Sequence, residues 1–118
     1  MSEQLVIPQS NIIDINHFAA VDLRIGTILE CVEVEKSDRL LRMQVDFGIL
    51  GKRQILSGVK KYFKPEDLIG KQATFVVNFA PRVMMGFESH GMMLSAQDAQ
   101  GLAVLTPSSP VENGSGIR

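Results

Sequence analysis

A single cysteine, Cys31, has no partner for an intrachain disulfide, and it suits a reducing compartment. His17 and His90 are the only histidines, and no spacing in the chain forms a metal-ligand motif. No apolar run approaches the ~20 residues of a membrane span. The N-terminal "MSEQLVIPQSN" has neither the basic start nor the apolar core of a signal peptide. The expectation is a cytoplasmic protein with no membrane partner. The formal net charge is only −1, so nothing draws the whole chain toward nucleic acid. Any such binding must come from local placement of charge.

Catalytic patterns are missing as well. Ser57, Ser95, Cys31, the two histidines and several carboxylates are present, but none is spaced as a nucleophile elbow or a Cys–His signature. The glycines are scattered rather than set between a strand and a helix, which excludes a phosphate loop and a dinucleotide fingerprint. His90, in "ESHGM", has no nucleophile nominated beside it and reads as a polar loop residue. The chain is expected to be no enzyme, with no catalytic residue, no metal and no cofactor.

What is present is a core. Of 118 residues, 45% are hydrophobic and 21% charged, which suits one packed domain without a repeat, a low-complexity block or a linker. Alternation dominates. In "AVDLRIGTILECVEV" the apolar residues Val21, Leu23, Ile25, Leu29 and Cys31 share one parity, and Gly26 suggests a bulge or sharp bend. "LLRMQVDFG" sends Leu41, Met43, Val45 and Phe47 one way and Arg42, Gln44 and Asp46 the other. "GILG" then reads as a hairpin turn into "KRQILSGV", with Ile49 and Leu50 oddly apolar at its tip. "KPEDLIG" has the punctuation of a short helix: Pro65 at its start, Glu66 and Asp67 in its first turn, Gly70 at its end. "QATFVVNFA" is apolar on both faces and reads as a central strand; "GMMLSAQ" and "LAVLTP" read as two more, and the closing "GIR" as a possible edge strand. Three strands, a short helix and further strands predict an all-β chain, a five-stranded Greek-key OB-fold barrel with one short helix.

Charge is polarised along this pattern. Arg53, Lys60, Lys61 and Lys64 fall within a dozen positions and interleave with Tyr62 and Phe63, whereas Glu30, Glu33, Glu35 and Asp38 gather earlier. Bases stack on rings at ~1–3 kcal/mol each in single-strand binders, and OB barrels bind oligonucleotides across one face. A solvated loop, with the rings packing the helix on the barrel, is the plain alternative. Met84, Met85, Met92 and Met93 read as core or subunit-interface residues rather than ligands.

Residues Ser57 to Ala96, "SGVKKYFKPEDLIGKQATFVVNFAPRVMMGFESHGMMLSA", resemble the tRNA-binding domain at the C-terminus of bacterial methionyl-tRNA synthetases. The same module occurs as free-standing tRNA-binding proteins and in the CsaA export-chaperone family. The matching positions are Ser57-Gly58, Tyr62, Pro65-Glu66, Leu68, Gly70, Asn78, Pro81-Arg82, Gly86, Ser89 and Gly91-Met92, with "FAAVDLRIGTI" and "KSDRLLRMQVDFG" upstream. The resemblance implies a leader over 1–12 and a tRNA-binding OB-fold domain over 13–118. It also implies a C-terminal extension, a homodimer built through it, and binding of tRNA by shape rather than anticodon sequence. It places Ser57, Asn78, Arg82, Ser89 and Met92 on the family's motif positions; Arg53, Lys60, Lys61 and Lys64 are the candidate phosphate contacts.

The departures are His90 where synthetase-type members usually carry glutamate, Val83 where a basic residue is common, and the apolar Ile49 and Leu50. The synthetase signatures HIGH and KMSKS are absent, as is the helical tether to a synthetase, so the chain by itself is not expected to activate an amino acid. It fits a free-standing protein acting with an aminoacyl-tRNA synthetase in trans, or a domain excised from one. The alternatives are a CsaA-like chaperone for unfolded polypeptide and a dimerisation domain with marginal RNA contacts.

Overall fold

A computed structural model describes residues 11–118. The expected leader lies outside the described residues except for Asn11 and Ile12. Five strands form one antiparallel sheet in the order β3-β2-β1-β4-β7: β1 (Leu23–Glu33), β2 (Leu41–Asp46), β3 (Lys52–Ser57), β4 (Gln72–Val76) and β7 (Met92–Met93). The sheet curls into the nearly closed barrel of an OB-fold. Two helices, α1 (Ile15–Ala19) and α2 (Pro65–Leu68), replace the single helix expected. Two hairpins complete it: β5 (Arg82–Met84) with β6 (Phe87–Ser89), and β8 (Ser95–Asp98) with β9 (Gly101–Val104).

The long strand β1 serves two neighbours. Leu23–Thr27 pair with β4, and Thr27–Glu33 with β2. Its expected parity holds at Ile25 and Cys31 and breaks at Leu29. The register slips between Ile28 and Glu30, so Leu29 is an extra residue, 38% exposed, and Ile28 and Cys31 are the buried pair on either side. The bulge is therefore at Leu29, not at Gly26. Gly26 answers to close packing: a Cβ there would lie 2.6 Å from Val45 Cγ1 and 2.7 Å from Phe47 Cε1.

On β2 the alternation holds residue for residue. Leu41, Met43, Val45 and the following Phe47 are fully buried, and Phe47 meets Phe75 of β4 edge-on, 5.2 Å between centroids. The link to β3 is a 3₁₀ turn, Gly48–Leu50, with the Gly48 N–H donating to Asp46 Oδ1 at 2.8 Å. Ile49 stands 96% exposed while Leu50 packs on the core. The α2 punctuation also holds: Pro65 opens it, the Lys64 N–H donates to Asp67 Oδ2 at 2.9 Å, and Leu68 is buried. The C-terminal segment returns to β1, where the Ile117 N–H donates to Leu23 O at 3.0 Å and Gly116 bridges Arg24. The edge pairing read from "GIR" is thus present as a bridge.

Closure joins β3 to the segment between β6 and β7. The His90 N–H donates to Gln54 O at 2.8 Å, and the Leu56 N–H donates to Ser89 Oγ at 3.0 Å. Gly91 follows because there is no room for a side chain: its Cβ would lie 2.7 Å from Val76 O. The β5–β6 hairpin, unforeseen in the sequence, folds over Leu56, Val34 and Leu40 through Met84 and Phe87, and the Arg42 guanidinium stacks 4.4 Å over the Phe87 ring.

Gly26→Ala should destabilise the chain by about 2 kcal/mol in denaturant titration, since both close neighbours are buried core side chains. Burial pushes the Cys31 thiol up from 9.0 to about 11. That contribution to stability is full below pH 9 and lost as pH rises toward 11. At pH 8 a disulfide reagent should therefore label the folded chain at least ~100-fold more slowly than the unfolded chain, from thiolate fraction alone.

Candidate nucleic-acid interface

Strand β3 ends at Ser57, and the chain then turns through Gly58 and Val59 toward α2. The β5–β6 hairpin leans across that turn, and β7 closes the other side. Their meeting leaves an open groove of about 350 Å³ lined by Ser57, Tyr62, Arg82, Ser89, Met92 and their neighbours. Four residues nominated from the sequence, Ser57, Arg82, Ser89 and Met92, thus converge in one place from four separate segments. Tyr62 is held as a wall by a hydrogen bond from Gln97 Nε2 to its hydroxyl, 2.9 Å, which ties the β8–β9 hairpin to the approach to α2. Phe63 packs against the main core instead.

The other nominated residues lie elsewhere or carry structural bonds. Lys61 and Lys64 are exposed on the approach to α2. Lys60 Nζ donates to Ser37 O at 2.6 Å and Val34 O at 3.3 Å, pinning the β1–β2 loop. Arg53 donates through Nη1 to Val77 O at 2.6 Å. The Asn78 amide accepts from the Asp22 N–H at 3.0 Å and donates to Ala20 O at 2.7 Å, clamping the entry of β1 to the exit of β4. Ser89, 3% exposed, accepts from Leu56 N and donates to Gly91 O at 3.0 Å. Of the groove's polar side chains, Arg82, Ser57 and Ser95 have no such task among the described residues.

The methionines divide the same way. Met93 is core, Met84 packs in the second cluster, and Met92 is partly exposed in the groove. Met85 sits at the β5–β6 turn with a positive φ of 52°, followed by Gly86 at 84°. That is the backbone of a two-residue hairpin turn, which normally selects Asn or Gly.

Few cations are paired. Among the described residues Arg24 is the only lysine or arginine in an ion pair, with Asp22 at 2.7 Å. The other cations keep their charge unneutralised by a direct carboxylate contact. His90 is different: its Nε2 lies 3.1 Å from Glu88 Oε1, so the histidine departure sits beside a carboxylate. Among the described residues no group of three or more His, Cys, Asp or Glu is placed to hold a metal, and no helix is long and apolar enough to cross a membrane.

Sequence reading missed Phe79. It lay at the end of an apolar strand, where a ring is ordinarily core, yet it is 48% exposed. It lines a second groove, of about 500 Å³, with Lys52, Arg53, Gln54, Pro81 and His90.

Residues 23–116 match the family model described as "Putative tRNA binding domain". The chain is 48% identical over 107 residues to a methionine–tRNA ligase of Parabacteroides distasonis, a match covering 90% of this chain and 16% of that protein. Among solved structures it superposes on the chaperone CsaA of Bacillus anthracis with a TM-score of 0.82 and 35% identity, covering 91% of this chain and 99% of that one. A methionyl-tRNA synthetase-related protein of Pyrococcus horikoshii gives a TM-score of 0.85 and 28% identity, covering 91% and 98%. The chain thus spans about a sixth of the ligase it matches and nearly all of the two solved chains. With four-fifths of its length on the family model and four of its five motif residues gathered in one groove, the chain belongs to the tRNA-binding domain family that includes the C-terminal region of methionine–tRNA ligases.

Proposed function

We propose that residues 13–118 act as a non-catalytic module that docks tRNA by shape and backbone and works as a homodimer, alone or beside an aminoacyl-tRNA synthetase. The observation that carries this reading is the convergence of Ser57, Arg82, Ser89 and Met92 around one groove flanked by unpaired cations. Duplex RNA offers phosphates and 2′-hydroxyls rather than readable base edges. An exposed guanidinium, hydroxyls and a thioether suit that target, and Lys61 and Lys64 extend the cationic edge. Dimerisation is supported by apolar surface in want of cover: α1 buries none of its residues, and Ile12, Ile13, Ile15, Phe18 and Val21 are all exposed. Leu105, Val111 and Ile117 of the C-terminal segment are exposed as well.

The likeness to CsaA favours a second reading, in which exposed apolar side chains of this kind hold unfolded polypeptide. Binding to an extended apolar peptide would then be insensitive to salt, and tRNA affinity would be slight.

Under the tRNA reading, titration of mixed tRNA across a salt series should give a log–log slope of roughly −3, as expected for about four neutralised phosphates. Changing Lys60, Lys61 and Lys64 together to Ala should flatten it to about −1, and an unchanged slope excludes those lysines as contacts. Arg82→Ala should reduce the slope by about 1 while leaving stability within ~0.5 kcal/mol. Ser89→Ala should do the reverse first, costing ~1–3 kcal/mol because the buried Leu56 N–H loses its acceptor. Circular dichroism melts beside the binding curves separate the two effects.

A further inference from the structure

The groove beside Phe79 has a different chemistry from the one around Arg82, although both lie along the same strand. β3 presents Ser57 to the first groove and Lys52, Arg53 and Gln54 to the second. At ~3.3 Å per residue its two ends stand about 17 Å apart. The chain that crosses β3 between them is fixed by the bonds of Ser89 and His90 to Leu56 and Gln54. The grooves are thus the two flanks of one crossing, and a polymer lying over that crossing meets both.

Three observations define the second flank. Phe79 belongs to neither hydrophobic cluster of the chain, and its exposure is not slack: Asn78, immediately before it, is clamped to Ala20 and Asp22. The lining residues include two cations, Glu88 stands behind the lining His90 at 3.1 Å, and the Lys52 ammonium makes no ion pair or hydrogen bond among the described residues. The neutral polar group is already spent, since the Gln54 amide accepts from Gln44 Nε2 at 3.0 Å and donates to Glu88 O at 2.8 Å. What remains open to a ligand is a ring face, the free Lys52 ammonium, the Arg53 N–H groups not bound to Val77 O, and one ring nitrogen of His90.

We infer that the Phe79 groove takes one unpaired nucleotide, its base stacked on the Phe79 ring and its phosphate at Lys52, next to duplex held in the Arg82 groove. This rests on the tRNA reading and specifies which part of the RNA lies where. Every base has a π-face, so stacking of this kind tolerates sequence. Pairs in the interior of a stem are stacked on both faces within their own helix and cannot supply that face. The groove therefore discriminates an RNA with single-stranded nucleotides beside a stem from an uninterrupted stem.

The absence of tryptophan from the chain gives a direct test. Phe79→Trp introduces a single fluorophore at the site and keeps a stacking surface. Mixed tRNA should quench its emission along the same curve that polarisation gives for binding, whereas a blunt RNA duplex should bind and leave the emission unchanged. Phe79→Leu should weaken tRNA binding about tenfold and duplex binding hardly at all, with F79W close to wild type. Binding of tRNA to F79W without quenching, or equal quenching by the blunt duplex, overturns the inference while leaving the tRNA reading intact. Emission already shifted to the blue without RNA would place residue 79 between copies of the chain and overturn it too. If the wild-type chain binds neither RNA at low salt, the tRNA reading itself fails, and this one with it.

Discussion

Hydrogen bonds between β3 and residues 88–90 close the barrel, and the site exists because of them. A curled sheet of five strands has two free edges, here β3 and β7, and unpaired edges are costly to bury and prone to pairing with other chains. The short β7, only Met92–Met93, cannot offer a full ladder to β3. Closure falls instead to the residues just before it: the His90 N–H reaches Gln54 O, and the Ser89 hydroxyl receives the Leu56 N–H. A hydroxyl can do this where a backbone carbonyl cannot, because the same oxygen also donates onward to Gly91 O. Gly91 completes the device by letting the backbone pass Val76 without a side chain in the way. The β5–β6 hairpin is delivered onto β3 by this crossing, and with it Arg82 and Phe79 arrive on its two sides.

Charge follows the same economy. A chain near neutrality still presents cations to a polyanion when those cations are not answered by carboxylates nearby. Lys60 reaches the acidic β1–β2 loop but bonds there to the carbonyls of Ser37 and Val34, not to a carboxylate. Carbonyl contacts fix the position of an ammonium without cancelling its charge. Arg53, held by Val77 O, is placed in the same manner. These residues thus build the loop and strand geometry while still contributing to the field that a phosphate backbone would feel.

How far this was legible depended on whether the signal was local. The β2 pattern was, because each of Leu41, Met43, Val45 and Phe47 meets the core in strict alternation, and so was α2, whose stop and start residues lie in one short stretch. The β1 parity was not. Its apolar residues continue through Leu29 without a break, and the bulge that ejects Leu29 is decided by pairing with β2 and β4 at once. The helix α1 and the β5–β6 hairpin were also hidden: one is a single turn capped by Asp14, and the other turns through Met85-Gly86, an unusual pair for that backbone. Phe79 escaped for a related reason. A ring after "TFVVN" is ordinarily core, and only the clamp at Asn78, made with residues far upstream, turns it out.

The nominated site residues illustrate a harder limit. Motif positions in such a module mix groups that touch a ligand with groups that hold the shape of the place where the ligand goes. Asn78 and Ser89 are satisfied within the fold on both their donor and acceptor sides, so little hydrogen-bonding capacity is left for RNA. Arg82 and the exposed lysines have theirs free. Loss of binding on changing Asn78 or Ser89 would therefore speak first about the clamp and the closure, and only through them about tRNA. In a barrel this small the two kinds of residue are neighbours in sequence as well as in space. Ser89 pairs with Arg82 across the hairpin: one seals the barrel from within, and the other faces the groove that sealing creates.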